Sequence, residues 1–128
     1  GYPYCGDQDS YSDPWALYNR ECVSYVAWAL HDRFGKYVGS FSGSGMAYEW
    51  LWSAPLYSDA YRVDDPQAGD AVVLPVTPGF ADVGHLMIVE SVNGDWVHVS
   101  QYNFNSTGEY STMDIKTTGV VFLRFHDR

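Results

Sequence analysis

The sequence predicts an α+β domain in which N-terminal helices pack on an antiparallel β-sheet of about five strands. Apolar residues recur at helical spacing in the first part of the chain, whereas short β-rich runs follow from Ala71 onward. The links between these runs are too short to hold crossover helices, so neighbouring strands are expected to be antiparallel. Helices followed by a meander of strands are typical of this fold class.

The first residues predict an extended lead-in and then two helices. Residues 1–12 contain Pro, Gly and polar residues without periodicity, and we expect Tyr2 and Tyr4 to pack this segment down. Asp13 followed by proline is a helix opening, so a short helix is predicted over residues 14–18. Asn19 offers a second cap for a longer helix over residues 20–33.

The longer helix is indicated by Val23, Val26, Ala27, Leu30 and Phe34, which recur at helical spacing before Gly35. A small-residue loop follows at residues 39–45, and the apolar spacing of residues 46–52 predicts a further helix that continues up to a proline. The strands are then predicted at residues 71–76, 83–92, 96–102, 111–116 and 120–125.

Length and composition indicate one domain that spans residues 1–128. The chain carries a net charge of −9 and 46% hydrophobic residues, with no apolar run long enough to cross a membrane. The acidic balance argues against nucleic acid and against anionic membrane surfaces, both of which require a basic face. We expect a monomer with neither a metal ion nor a cofactor.

The two cysteines, Cys5 and Cys22, allow opposite interpretations. A Cys5–Cys22 disulfide would suit a secreted protein, and a thiol beside an apolar helical run is commonly packing. However, Cys22 lies within a helical pattern whereas Cys5 lies in an irregular segment. If Asn19 caps the helix, Cys22 falls in its first turn, where a reactive thiol is favoured.

A histidine in a buried strand, His85, is the second candidate, and the following hairpin decides which amide meets it. A three-residue loop at residues 93–95 places Asn103 opposite His85, with Gln101 on the same face. A two-residue turn at residues 93–94 instead places Tyr102 opposite His85 and sends both amides to the other face unless a bulge intervenes. Both registers remain open at this point.

Cys22 and His85 together provide the chemistry of a cysteine hydrolase. The thiolate is the nucleophile, and a helix N-terminus with a nearby imidazolium lowers a cysteine pKa. An amide oxygen from Gln101 or Asn103 can hold the imidazole in one tautomer. Backbone N–H groups in the first turn of the helix can stabilise an oxyanion.

Four ordered motifs resemble the CHAP family of cysteine, histidine-dependent amidohydrolases and peptidases. They are ECVSYVAW around Cys22, PQAGD at residues 66–70, GHLMIVE at residues 84–90 and VSQYN at residues 99–103. The resemblance covers roughly residues 13–125. It implies a papain-like α+β fold and hydrolysis of amide bonds in peptidoglycan by a secreted or cell-wall-associated bacterial protein.

Residue by residue, the resemblance implies that Cys22 is the nucleophile and His85 the general base. The family's Glu falls at Gln101 and its Asn at Asn103, so Gln101 is a departure that stabilises an imidazolium less than a carboxylate does. Glu21, where many members have Gln, is a second departure, because a carboxylate aimed at the sulfur opposes thiolate formation. A module of the same fold that only binds cell-wall peptide is the alternative function.

Overall fold

Two short helices and a six-stranded antiparallel sheet form the part of the protein that the structure describes. A computed structural model describes residues 1–41, 45–76, 84–104 and 108–128. Helix α1 is Cys22–Trp28, continued by a π-helical turn at Ala29–Arg33, and a 3₁₀ turn at Ala47–Glu49 leads into α2, Trp50–Ser58. The strands are β1 Tyr61–Val63, β2 Ala71–Leu74, β3 His85–Asn93, β4 Trp96–Tyr102, β5 Tyr110–Lys116 and β6 Val121–Arg124.

The sheet order is β1-β6-β2-β3-β4-β5, and every neighbouring pair is antiparallel. The predicted α+β class is therefore confirmed, with one strand more than expected. Strand β1 has only three residues and is held in the sheet by pairing with β6. It is too short to show the alternation of apolar and polar residues that predicts a strand. The predicted strand over residues 83–92 begins one residue outside the described part of the chain.

The predicted helix over residues 14–18 is wrong. The Asp13 carboxylate does accept backbone hydrogen bonds, from Trp15 at 2.9 Å and from Leu17 at 3.0 Å, but Ala16 has a left-handed φ of 63°. The Asp13 N–H also donates to the Leu17 carbonyl at 2.8 Å. These bonds close a turn around the carboxylate, and a turn offers no helical continuation.

The cap of the main helix is Glu21, and the predicted Asn19 cap is wrong. The Asn19 side chain accepts from the N–H groups of Ser10 and Tyr11 and donates to the Asp7 carbonyl at 2.9 Å, so it holds the lead-in segment. The helix predicted to end near Pro55 instead runs through it to Ser58. Burial of Trp50 and Ala54 on this helix fixes it against the core.

The lead-in is packed down by tyrosines, as predicted. The Tyr2 ring lies 4.8 Å from that of Tyr102 and 5.7 Å from that of Tyr25, between centroids. Its hydroxyl contacts Ser24 Oγ at 2.5 Å and accepts from the Arg20 N–H at 2.9 Å. Residues 1–12 are therefore attached to the start of α1.

Hairpin β3–β4 reaches the register of the three-residue loop through a two-residue turn and a bulge. Its turn has two residues, Gly94 and Asp95, so Asn93 pairs with Trp96, and an irregularity between Val89 and Ser91 then shifts the pairing by one residue. Beyond the bulge Val89 pairs with Val99. The register on this side is the one expected for a three-residue loop, and it brings Gln101 to the face of His85.

The sheet has an apolar cluster on each face. One lies between the sheet and the helices and includes Val26, Leu30, Trp50, Leu86 and Ile88. The other lies on the opposite face and comprises Val72, Met87, Val89, Val97, Val99 and Phe122. Alternate residues of β3 serve the two clusters, which is why both phases of this strand are apolar.

Candidate active site

Cys22 is the first residue of α1, and its sulfur lies against the beginning of β3. The backbone N–H groups of Leu86, Val23 and Cys22 lie near enough to the sulfur to lower its pKa. Helix α1 packs on the sheet through Val23, Val26 and Ala27, which are buried. The packing of one helix on the sheet thus brings the thiol beside the residue that follows His85.

His85 is the first residue of β3 and is only 6% exposed. Its Nε2 lies 2.9 Å from Gln101 Oε1, and the Phe104 ring packs edge-on at 5.5 Å between centroids. An amide oxygen can only accept, so Nε2 carries the proton and Nδ1 is the basic nitrogen of the neutral ring. Burial lowers the pKa of His85, and the hydrogen bond to Gln101 opposes this in part.

Gln101 is held from both ends of its amide. The side chain is 1% exposed, its oxygen accepts from His85, and its Nε2 donates to Ser111 Oγ at 3.1 Å. Ser111 pairs with Gln101 across strands β4 and β5. The amide orientation is therefore fixed by the strand pairing, and Ser111 is a member of this network that sequence reasoning missed.

Asn103 is directed elsewhere. Its Nδ2 donates a short hydrogen bond to Glu21 Oε1, its Oδ1 accepts from the Gly108 N–H at 2.6 Å, and its own N–H donates to the Glu109 carbonyl at 2.9 Å. Of the two amides that the sequence offers, Gln101 contacts His85, and Asn103 contacts the residue before Cys22. The second contact was not anticipated from the sequence.

The pKa of the thiol moves in the opposite direction to that expected from a helix N-terminus. Burial raises the pKa of Cys22 to about 12; the hydrogen bond from Leu86 lowers it, and the nearby Glu21 carboxylate raises it further. Removal of the sulfur from water destabilises the thiolate more than the N–H groups of this seven-residue helix stabilise it. At neutral pH the free site thus holds a neutral thiol at Cys22 and a neutral imidazole at His85.

Glu21 itself titrates abnormally. Burial and the neighbouring Asp9 carboxyl raise the pKa of Glu21 to about 7, whereas hydrogen bonds from Gln8 and Asn103 favour the ionised form. The carboxyl is protonated in part at neutral pH. Partial protonation of Glu21 weakens its unfavourable effect on ionisation of the Cys22 thiol.

The position before His85 requires a glycine, Gly84. It has a φ of 76°, and a Cβ at this position would lie 2.9 Å from the Leu74 carbonyl oxygen and 3.2 Å from the Tyr48 nitrogen. A side chain here would push the first residue of β3 away from the neighbouring strand. Part of the loop before it, residues 77–83, lies outside the described residues, as do residues 42–44 of the predicted small-residue loop.

Both cysteines are free, so the alternative Cys5–Cys22 disulfide is not formed in this structure. Over the described ranges, no group of three or more His, Cys, Asp or Glu side chains is arranged to hold a metal ion. The same ranges contain no helix with the length and hydropathy needed to span a membrane.

A family model described as the CHAP domain matches residues 10–103. The chain belongs to the CHAP domain family. Residues 10–103 include Cys22, His85, Gln101 and Asn103, so every candidate residue of the site lies within the matched part of the chain. No curated protein sequence matches the chain.

Solved structures confirm the papain-like α+β fold of this CHAP domain. An N-acetylmuramoyl-L-alanine amidase from Staphylococcus aureus aligns with a TM-score of 0.71 and 24% identity over 84% of this chain and 31% of its own. Ly7917 aligns at 0.58 with 20% identity, over 84% of this chain and 54% of its own. The endolysin LysIME-EF1 aligns at 0.59 with 18% identity, over 92% and 57%. The chain therefore spans about a third to just over half of these proteins.

Proposed function

We propose that this CHAP domain is a peptidoglycan hydrolase that cleaves an amide bond through the thiol of Cys22. The observation that carries the proposal is the His85–Gln101 hydrogen bond of 2.9 Å beside a sulfur that contacts Leu86, in a chain of this family. Structural relatives that include an amidase and an endolysin support the substrate class. Action on peptidoglycan places the protein outside the cytoplasm, as a secreted or wall-associated bacterial protein.

The reaction begins with attack of the Cys22 sulfur on the carbonyl carbon of the scissile amide. Because the thiol is protonated, Nδ1 of His85 accepts its proton as the S–C bond forms. The imidazolium then donates this proton to the leaving amine as the C–N bond breaks. Water hydrolyses the thioester, releases a carboxylic acid and restores the thiol.

Gln101 and the backbone supply the supporting roles. Gln101 holds the Nε2–H tautomer, so that Nδ1 is the nitrogen that receives the proton. The backbone N–H groups around the sulfur, from Leu86 and Val23, are the donors available to the negative oxygen of the tetrahedral intermediate. Asn103 acts on the other side of the site, through Glu21.

The test is digestion of purified peptidoglycan with the wild-type protein and with Cys22→Ala. We expect new amino groups to appear with the wild type only, and mass spectrometry of the released muropeptides to identify the bond as glycan–peptide or as peptide. Cys5→Ala is the matched control, since it removes the exposed thiol, and it should retain the activity. Equal amine release by wild type and Cys22→Ala would refute the proposal.

A cell-wall-binding module of the same fold is the second candidate. It is favoured by the raised pKa of the thiol and by a neutral amide at position 101. This candidate predicts that the wild type sediments with purified peptidoglycan and releases no amines from it. Slow alkylation of Cys22 at neutral pH does not separate the two, because a neutral thiol is expected in both; the release of amines does.

A further inference from the structure

Glu21 occupies the cap position of α1 without capping it. Its backbone is extended, and its side chain makes no hydrogen bond to the free N–H groups of the helix. Residues at this position normally use their side chains for that purpose. The Glu21 carboxyl instead turns away, and its Oε1 accepts from Asn103 Nδ2 and from Gln8 Nε2, the latter at 3.0 Å.

Asn103 is itself rigidly fixed two residues after Gln101. It has a left-handed φ of 60°, and its side-chain oxygen and backbone N–H bind Gly108 and Glu109, as described above. Its remaining side-chain donor reaches Glu21. Asn103 therefore connects the end of the strand that carries Gln101 with the residue that precedes the nucleophile.

Arg20 makes a parallel connection. Its Nε donates to the Gly108 carbonyl at 2.6 Å, and its own φ of 60° turns the chain into α1. Two consecutive residues before Cys22 thus bind Asn103 and Gly108, two residues that follow Gln101. The Asp9 carboxyl of the lead-in lies close enough to raise the pKa of Glu21, which adds a third segment to the same cluster.

We infer that Glu21 is a positioning residue for the amide hydrolysis proposed above: its hydrogen bond with Asn103 ties the Cys22 end of α1 to the Gln101 end of β4. His85 is oriented by Gln101, and the sulfur is placed by the start of α1, so the relative position of the two reacting groups depends on this tie. The inference rests on the proposed function. Glu21 acts here through its hydrogen bond to Asn103 and not through its negative charge.

Removal of the tie is expected to reduce turnover more than substrate binding. Because a displacement of about 1 Å between reacting groups costs about 100-fold in rate, Glu21→Ala should lower kcat about 10- to 100-fold with little change in KM. The measurement is the initial rate of amine release from soluble muropeptides over a range of concentrations. If Glu21→Ala does not fold, Glu21→Leu serves instead, since it keeps the apolar stem.

The conservative variant separates positioning from charge. In Glu21→Gln the amide oxygen can still accept from Asn103 and Gln8, while the amide nitrogen can donate to Asp9, so we expect most of the wild-type kcat to return. Asn103→Gly keeps the left-handed backbone and should reproduce the loss. The double variant with Glu21→Ala should lose no more than either single variant, because both remove the same bond.

Glu90→Ala is the matched control. Glu90 is also a half-buried carboxylate, but it binds Arg33 at 2.6 and 2.7 Å and Ser100 at 2.5 Å, towards the other end of α1. The Glu90→Ala variant should be less stable than the wild type and keep the wild-type kcat. A wild-type kcat in Glu21→Ala, an equal loss in Glu90→Ala, or additive losses with Asn103→Gly would each overturn the inference. Inactivity of the wild type would instead refute the proposed function.

Discussion

At the scale of single residues, position 101 decides how the imidazole titrates. Gln101 fixes the ring through a neutral oxygen, so burial prevails and the pKa of His85 falls below its ordinary value. A carboxylate at this position, as the family resemblance implies elsewhere, would stabilise the imidazolium directly. In the proposed reaction, His85 as the base therefore stays neutral to lower pH, and Cys22 as the nucleophile stays protonated until attack.

Gln101→Glu is expected to raise the pKa of His85 and to move the acid limb of the pH–rate profile to higher pH. A charge at hydrogen-bond distance shifts a pKa by about 1 to 3 pH units, and Ser111 can donate to the new carboxylate. NMR titration of the His85 ring measures the pKa, and kcat/KM against pH measures its consequence. Gln101→Met, which lacks the acceptor, is the control and should not raise the pKa; an unchanged titration in Gln101→Glu would contradict this account.

At the scale of secondary-structure elements, sequence patterns predicted what periodicity can encode. Strand β4 was predicted at its observed bounds. The helix that begins at Cys22 was predicted within two residues when its π-helical continuation to Arg33 is included. The helix over residues 14–18 failed because Asp13 binds backbone N–H groups in a turn, and the cap failed because Asn19 bonds to the lead-in. Such contacts depend on which segment lies nearby, which no local pattern specifies.

The bulge in β3 shows the same limit at the site. Neither predicted turn is present, yet the shift between Val89 and Ser91 restores the register in which Gln101 shares a face with His85. A bulge depends on packing on both sides of the strand and has no sequence signature here. The chain motifs could therefore identify Cys22 and His85, but they left Gln101 and Asn103 as alternatives.

Gly84→Ala tests how strictly the start of β3 must be placed, with Gly94→Ala as its control. Both glycines have positive φ, so each substitution costs about 1 to 2 kcal/mol in backbone strain. Only at Gly84 does the new Cβ also meet a neighbouring carbonyl, at 2.9 Å, whereas Gly94 has open space. We expect Gly84→Ala to lose more free energy of unfolding and nearly all activity, measured by denaturant titration and amine release. Equal losses in the two variants would contradict the close approach.

At the scale of the whole molecule, two of the site's own groups impose opposite pH dependences on stability. The pKa of Glu21 is about 7 in the folded protein, against an ordinary value of 4.5. Between these pH values the folded protein binds more protons than the unfolded chain, so stability falls as pH rises. His85 has a folded pKa below 6.5, so the unfolded chain binds more protons there and stability rises with pH. The two effects oppose each other below about pH 6.5.

Glu21→Gln removes the contribution of Glu21 to this pH dependence of stability. We expect its free energy of unfolding to exceed that of the wild type by a margin that grows as pH rises from about 4.5 to about 7 and then stays constant. Urea denaturation of both proteins at several pH values measures the difference in their free energies of unfolding. The contributions of the other titrating groups cancel in this difference. His85→Gln should give the complementary result, in which the difference from the wild type varies with pH only below about pH 6.5. A constant difference between wild type and Glu21→Gln across this range would mean that the Glu21 carboxyl titrates normally.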